Sequence, residues 1–516
     1  MRFVHNPFRS QDLLFLAAAF AVTGVYVALA SGGFPLDDSW IHQVYARNLA
    51  QTGQWAFVPG VPSQASTAPL YTLLLAVGYA VGVDFRLWTH MLGALSLAAA
   101  GMIGARLAAR VSSSERWLTV VSGLALVLAW HLIWAAASGM ETMLFSTLTL
   151  AMVALAWREL DDRPPDTREY PLLRGASFGV LAALAAMTRP EAVVLAALAG
   201  LLMVIVRPQR SWRTFAGWAW GAGLGFSVAV APYLAQNLQL TGGLLPDTAA
   251  AKQAQNAPIV AGFSLATRLW EMVKPLLAGG QLLLLPGVAA CVLVILKQAR
   301  RDRRAALLLL PLLWAAALVV LYAARLPAPY QHGRYVIPAL PGWIILGVVG
   351  TTWMLRWGRS SLPGRVLSRS LALAAALAFA YFVAAGAVAY QKDVRIIDEE
   401  MVTAARWVAA HVPPEERLAV HDIGALGYFA PRPILDLAGL VSPEIVPFIN
   451  DADRLWSWLQ SQDARYLMAF PDQIPGDDPT DTRLCPVFNT GGATAPAAGG
   501  ANMVVYRLAW DRLCPG

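Results

Sequence analysis

Hydrophobic residues run along this chain in blocks divided by short polar or basic segments, and the block lengths predict the elements. Residues 13–30 are an apolar run behind a short basic stretch with Arg2 and Arg9. A run of about 20 apolar residues crosses a bilayer as a helix, and no small-residue cleavage site follows, so this reads as an uncleaved first span. Basic residues favour the cytoplasmic side, which puts the N-terminus inside. The run 69–82 is only about 14 residues, short for a span, and reads as a juxtamembrane helix on the outer face. The second span is then 86–109, with Arg106, Arg110 and Arg116 inside.

The same rule orders the rest. Spans 117–137 and 142–157 turn outside at 138–141 and return to a charged inner loop, 158–174. Spans 175–187 and 192–206 turn outside at 188–191 and end at inner Arg207, Arg210 and Arg213. A seventh span, 214–235, delivers a long outer loop, 236–274, and an eighth, 275–296, ends in the basic run 297–304. Span 305–324 leads to the outer turn 325–335, 336–355 to inner Arg356, Arg359, Arg365 and Arg369, and 371–390 leaves the remainder outside. The expectation is an all-α polytopic membrane protein of about eleven transmembrane helices with outer juxtamembrane helices, cytoplasmic N-terminus and extracytoplasmic C-terminus.

Beyond residue 390 the pattern turns soluble. Short apolar runs at 417–420, 433–437, 465–470 and 503–508 alternate with helix-like segments at 398–410 and 453–460. That alternation predicts a small extracytoplasmic α/β domain over 391–516, next to a membrane module over 1–390 whose first outer loop is 32–68. Residues 491–501 form a Gly/Ala loop.

Composition agrees: 57% hydrophobic, 14% charged and a mean hydropathy of +0.52 exclude a soluble enzyme. The net charge of +7 comes largely from Arg beside apolar runs, a topology signal that calls for no nucleic-acid partner. Of three cysteines, Cys291 lies in a span and reads as a buried thiol. Cys485 and Cys514 share the outer domain, where an oxidising compartment favours a disulfide over free thiols.

Sorted by side, nearly every unusual polar residue falls on the outer face. Asp37 and Asp38 open the first outer loop, Glu141 lies at the second turn, and Arg189 and Glu191 at the third. Asp247, Lys252 and Gln255 lie in the fourth outer segment, and His332, Arg334 and Tyr335 in the fifth. Carboxylates facing Arg, Lys and His at one membrane surface suit a reaction in which an acid works as base while cations hold an anion, for which a lipid phosphate is the natural candidate. Each residue also has a structural reading. The Asp pair or Glu141 can favour a helix N-terminus, Arg189 and Glu191 can anchor a turn by a salt bridge, and Arg334 can snorkel. His5, His42, His90, His131, His411 and His421 lack mutual spacing and read as packing or surface residues, and the Trp residues suit interfacial belts.

Together these positions carry a resemblance. The matching stretches are Asp37-Asp38-Ser39-Trp40-Ile41, Tyr45-Ala46-Arg47-Asn48-Leu49-Ala50, Ser66-Thr67-Ala68-Pro69-Leu70 and Ser138-Gly139-Met140-Glu141-Thr142. Further on come Thr188-Arg189-Pro190-Glu191-Ala192, Leu245-Pro246-Asp247-Thr248 with Lys252, and Gly333-Arg334-Tyr335. Weaker matches follow at Asp422 to Tyr428 and Asp436 to Leu440. In this order, the set resembles the GT-C superfamily of membrane glycosyltransferases, which use polyprenyl-phosphate sugars, and within it the branch with the mycobacterial cell-wall arabinofuranosyltransferases. Trp40, where Tyr or Phe is common, and Asp247, in place of a usual Asn, depart from the pattern.

The resemblance implies a GT-C-like catalytic module in a bacterial-type plasma membrane. It implies transfer of a sugar from a polyprenyl-phosphate donor to a hydroxyl of an extracytoplasmic glycan, lipid or protein acceptor. Asp37 or Asp38 is then the base, Glu141 orients the acceptor, and Arg189, Lys252 and Arg334, with His332 as a supplementary donor, hold the phosphate. A divalent cation, Mg or Mn, on Asp38 and Glu141 is an open alternative, as is inversion or retention. The competing class is a transporter or flippase of lipid-linked sugars, which needs the cations but no base; no internal repeat of the transporter kind is evident.

Overall fold

The computed structural model describes residues 10–63, 65–112, 116–161, 171–207, 211–244, 248–510 and 514. Arg2, Arg9, Arg210 and Asp247 lie outside the described residues. Among the described residues, eight helices are long and apolar enough to cross a membrane. A ninth arises if Arg116–Val127 and Trp130–Ala137, bent by 54° at a short break, count as one span. The expected third span is therefore two helices rather than one. The helices at the expected fifth and sixth spans, Pro171–Ala186 and Ala192–Val206, have 16 and 15 residues. The run read as juxtamembrane is a 12-residue helix, Pro69–Ala80. The chain is a multi-pass membrane protein.

The first polar loop folds into a helix, Asp37–Thr52, ended by Gly53 in the left-handed region, then a small hairpin of β1 (Ala56–Val58) and β2 (Val61–Pro62). Asp37 and Asp38 occupy the helix's first turn, and the cap position is Leu36, which makes no side-chain cap. Carboxylates there complement the N-terminal end of the helix dipole.

The last long helix, Leu362–Ile397, does not stop near residue 390 but runs on through a wide turn, Asp398–Val402, into Thr403–His411. A five-stranded sheet follows in the order β4-β3-β5-β7-β6, from β3 (Leu418–Val420), β4 (Ile434–Asp436), β5 (Tyr466–Ala469), β6 (Leu484–Asn489) and β7 (Val504–Leu508). β3 runs parallel to β4 and β5, and β7 runs antiparallel to β5 and β6. β6 was not expected from the sequence because Pro486 interrupts it. At the sheet edge a strand tolerates Pro with an irregular register, and the register shifts here between Pro486 and Phe488. Cys485 on β6 is bonded to Cys514.

Two cores matter for the site. One fills the helix bundle. The other joins Phe34, Trp40 and Tyr45 to Met401, Val408, Ile423 and Leu426, so the first polar loop and the sheet region share one apolar interior. Trp40, Trp134 and Trp157 are fully buried and so stand apart from any interfacial belt, whereas Trp117, Trp212, Trp220, Trp270 and Trp357 are exposed. Two of the buried three spend their indole N–H inside the fold, Trp134 on Asp393 and Trp157 on the Leu307 carbonyl, as a buried indole must.

Candidate active site

Five separated segments converge on a cavity of about 480 Å³ lined by Asp38, Glu141, Arg189, Lys252 and Arg334, with His42 among them. Asp38 comes from the first turn of Asp37–Thr52, and the same helix brings His42 four residues on, one turn below on the same face. Ser39 donates its hydroxyl to the Ser138 carbonyl at 2.7 Å, which fastens this helix to the turn that carries Glu141.

Arg334 is aimed by an unusual turn. Gln331, His332 and Gly333 all have left-handed backbone, φ 54°, 56° and 68°, a conformation that costs a non-glycine residue about 1–3 kcal/mol and persists only where packing imposes it. At Gly333 a Cβ would meet Pro275 at 2.6 Å, so no larger residue fits. The turn delivers Arg334, 5% exposed, to Asp38. Its Nη2 donates to Asp38 Oδ2 at 2.5 Å and to the Tyr335 hydroxyl at 3.0 Å. Its Nε and Nη1 are buried and have no hydrogen-bond partner among the described residues.

Lys252, on the helix Thr248–Gln255, places Nζ 3.5 Å from the same Asp38 oxygen. Burial opposes ionisation of Asp38, but Lys252 and Arg334 outweigh it and hold its carboxyl well below the usual carboxylate range. Burial likewise opposes the charge on Lys252, and Asp38 overcomes that, so its ammonium is held above the ordinary lysine range.

Glu141 forms a second pair. Its Oε2 lies 3.3 Å from His42 Nε2 and its Oε1 4.0 Å from Arg189 Nε. Burial works against its charge, but His42 and Arg189 prevail and bring its carboxyl down to about 2. The His42 ring is oriented from its other side, where Nδ1 meets Ser66 Oγ at 3.3 Å and Ser66 meets Thr72 at 2.7 Å. The Ser66 motif thus sets the tilt of a histidine that was read from sequence as ordinary packing. Its signal was present: Asp38 and His42 share helical spacing, though the other histidines offered no pattern.

Arg189 is already engaged. It donates to the Tyr322 hydroxyl at 2.5 Å and to Glu191 at 3.2 Å, and both Arg334 and Tyr335 carbonyls lie 3.4 Å from its guanidinium. The anticipated salt bridge to Glu191 is therefore present, and Arg189 braces the backbone that carries Arg334.

Two of the expected site residues are not in this cavity. Asp37 faces the sheet region, where it accepts the Gly424 N–H at 2.6 Å and the Ala425 N–H at 2.7 Å. Burial and the neighbouring Asp422 push its carboxyl up to about 8, against those two backbone donors. His332 points into an adjacent cavity, where Nε2 lies 2.7 Å from Asp393.

The sheet region also reaches the first cavity. Asp436 accepts backbone N–H groups of Ala438, Leu440 and Val441 at 2.8, 2.6 and 2.8 Å, shaping a loop whose Leu440 lines the wall.

The donor set does not fit a divalent cation. Asp38 faces two cations and Glu141 faces His42 and Arg189, so neither carboxylate has uncompensated charge to offer. Among the described residues no group of three or more His, Cys, Asp or Glu is placed to hold a metal ion.

Residues 398–506 match a domain of unknown function, DUF8728. No curated protein matches the chain. Among solved structures, ArnT from Cupriavidus metallidurans in the apo state aligns with a TM-score of 0.61 at 16% identity, over 98% of this chain and 99% of that one. The Archaeoglobus fulgidus oligosaccharyltransferase aligns with a TM-score of 0.59 at 11% identity, over 96% of this chain and 74% of that one. Arabinofuranosyltransferase AftD from Mycobacteria aligns with a TM-score of 0.52 at 18% identity, over 97% of this chain and 40% of that one. All three are GT-C glycosyltransferases.

The chain has the GT-C fold.

Within this GT-C fold, the first polar loop, the turns at 138–141 and 188–191, the helix Thr248–Gln255 and the turn before Arg334 meet at one cavity. They are separated by up to 296 residues, the distance in sequence between Asp38 and Arg334.

Proposed function

We propose that this protein is a membrane glycosyltransferase that moves a sugar from a polyprenyl-phosphate donor to the hydroxyl of an extracytoplasmic glycan, lipid or protein acceptor. The carrying observation is Arg334, which lines the cavity together with Lys252 and whose buried Nε and Nη1 have no hydrogen-bond partner among the described residues. A buried guanidinium with open donors calls for an anion, and phosphate matches its geometry. Support comes from a similar fold in ArnT bound to undecaprenyl phosphate, TM-score 0.60 at 16% identity.

In the mechanism, the donor phosphate occupies Arg334 and Lys252, with Arg189 bracing Arg334 from behind. Asp38 is the base. The acceptor oxygen bonds to the anomeric carbon, the bond from that carbon to the phosphate oxygen breaks, and its electron pair leaves on polyprenyl phosphate. The acceptor proton goes to Asp38. The leaving group is a stable anion held by fixed cations, so no general acid is required.

Without donor, Asp38 serves as counter-ion to the same cations, which suppresses its basicity. Phosphate entering the cations' field releases it, so the base gains proton affinity only once the donor is in place. Glu141, with His42, orients the acceptor or the sugar. The topology that goes with this reading has about eleven spans, a cytoplasmic N-terminus and the site and sheet region on the extracytoplasmic face.

The test uses purified protein in lipid nanodiscs, a panel of polyprenyl-phosphate monosaccharides and a mixed glycan extract. Release of polyprenyl phosphate from one donor, falling by about 10²–10⁴-fold in Asp38→Asn, is the expected result. Movement of intact donor across the bilayer without bond cleavage would replace the transferase by a flippase.

A further inference from the structure

Lys252 reaches Asp38 from a helix of 8 residues, Thr248–Gln255. A helix that short does not hold in water by itself, so its position comes from what it packs on. Thr248, Ala249, Lys252 and Gln253 line the cavity. Ala251, Ala254 and Gln255, three and four residues apart, make another face, and that face meets the sheet region. Ala251 is fully buried, and a Cβ on Gly439 would lie 3.5 Å from its Cβ. Ala254 packs against the sheet core that holds Leu437, Ile445 and Ile449. Its carbonyl, in the last turn of the helix, accepts the Asn450 side-chain N–H at 2.7 Å. The Gln255 amide nitrogen lies 3.4 Å from the Ala438 carbonyl oxygen and 3.5 Å from His421 Nε2. The turn Pro443–Phe448 is the element of the sheet region that packs most closely on this helix.

β3 and β4 are neighbouring parallel strands, with Val420 opposite Asp436, so their carboxyl ends open on the same edge of the sheet. Beyond β3, the Gly424 and Ala425 N–H groups hold Asp37, the neighbour of Asp38. Beyond β4, the loop that Asp436 closes with three N–H bonds offers Ala438 and Gly439 to the helix of Lys252 and Leu440 to the cavity wall. One sheet edge therefore grips the helix of Asp38 and the helix of Lys252 together, and Lys252 Nζ stands 3.5 Å from Asp38 Oδ2. Arg334 takes its place differently, from the strained turn before it and from Arg189.

We infer that the carboxyl ends of β3 and β4 set Lys252 against Asp38 for the donor phosphate, which makes Gln255, Asn450 and the loop 436–442 positioning groups for donor binding. The inference rests on the transferase reading above, and it gives the region that matches a domain of unknown function a task at the reaction centre. A lysine ammonium is a point charge on a flexible stem, so the backbone that carries it decides where it can stand. A shift of about 1 Å in a positioning element costs up to about 10²-fold. Neither Gln255 nor Asn450 lines the cavity, so their loss acts through the helix.

The full-length protein in nanodiscs is titrated with undecaprenyl phosphate as wild type, as the double variant Gln255→Met with Asn450→Ala, as Lys252→Met, and with all three substitutions combined. The double variant binds about tenfold more weakly than the wild type, and in turnover its donor KM rises while kcat and the acceptor KM hold. On top of Lys252→Met, the same two substitutions cost nothing further, because the group they place is gone and effects that run through one residue do not add. Amide exchange in 248–255 is faster in the double variant, and exchange in β3 and β5 is unchanged. Undiminished affinity in the double variant, an equal further loss without Lys252, or unchanged exchange in 248–255 would each overturn the inference. A wild type that binds no undecaprenyl phosphate would strike the donor reading instead, and exchange in 248–255 would still decide whether the sheet region holds the helix.

Discussion

Asp37 accepts the backbone N–H of Gly424 at 2.6 Å, joining two residues 387 positions apart. Its neighbour Asp38 faces the other way, into the cavity with Arg334 and Lys252. One carboxylate of the pair ties the sheet region to the helix Asp37–Thr52, and the other faces the cations of the cavity. Trp40 packs on Tyr428 and Phe429 at 4.9 Å, and Arg47 donates to the Tyr428 carbonyl at 2.9 Å, so the same helix is fastened along its length.

Gly424→Ala tests that fastening. The added Cβ would lie 2.0 Å from the Asp37 carbonyl oxygen and 2.8 Å from its Oδ2. Overpacking of this kind costs about 1–3 kcal/mol. The expected outcome is a lower unfolding midpoint, faster proteolysis of the sheet region and reduced turnover, because Asp38 rides on the displaced turn. A variant that melts and turns over like the wild type would remove the docking role.

Asp38→Asn should separate binding from chemistry. Turnover falls, yet polyprenyl phosphate binds about tenfold more tightly, or ~1.4 kcal/mol, because the carboxylate that competes for Arg334 and Lys252 has lost its charge. Equal or weaker binding, measured by titration in nanodiscs, would show that Asp38 does not compete with the phosphate.

Acid should act through Glu141. Burial opposes its charge, but His42 and Arg189 hold its carboxyl down to about 2, below the ordinary value of about 4.3. A group depressed in the folded state contributes stability above its unfolded pKa and loses it as pH falls toward the folded one. This share of stability is complete above about pH 5 and fades between there and about 2. Thermal unfolding of Glu141→Gln at several pH values should give a lower midpoint at neutral pH and a shallower acid slope than the wild type; matching slopes would refute the assignment.

Reduction should weaken the sheet region. Cys485 and Cys514 are 29 residues apart, and closing a loop of that length stabilises by about 3–4 kcal/mol in the chain-entropy account. Cys514→Ser is expected to melt lower and to be insensitive to reductant, whereas the wild type should fall to the variant's midpoint when reduced.

Much of this was legible in the sequence. Apolar run length and the placement of Arg mark a multi-pass membrane protein, and four of the five strands of the C-terminal sheet show as short apolar runs. β6 was hidden because Pro486 is a poor strand residue except at an edge, and sequence does not say which strand is the edge. The break in the third span at residues 128–129 was hidden because it leaves the apolar pattern unbroken, and the continuation of the last long helix past residue 390 because the polar residues there mark the end of the apolar stretch but not of the helix.

Within the site, sequence alone marked Asp38, Glu141, Arg189, Lys252 and Arg334, because charge beside apolar runs is conspicuous and has few cheap explanations. It left the choice between Asp37 and Asp38 open. Adjacent helical residues point about 100° apart, so they meet different partners, and only packing says which partner is the sheet region and which is the cavity. The same holds for His42, ordinary by spacing until Glu141 is set against its ring, and for His332, whose strained turn sends it to Asp393 and its neighbour Arg334 to Asp38. Sequence determined what kinds of groups this protein has and where along its helices they lie; tertiary packing decided which of them share a cavity, because contacts between segments hundreds of residues apart leave no mark in local pattern.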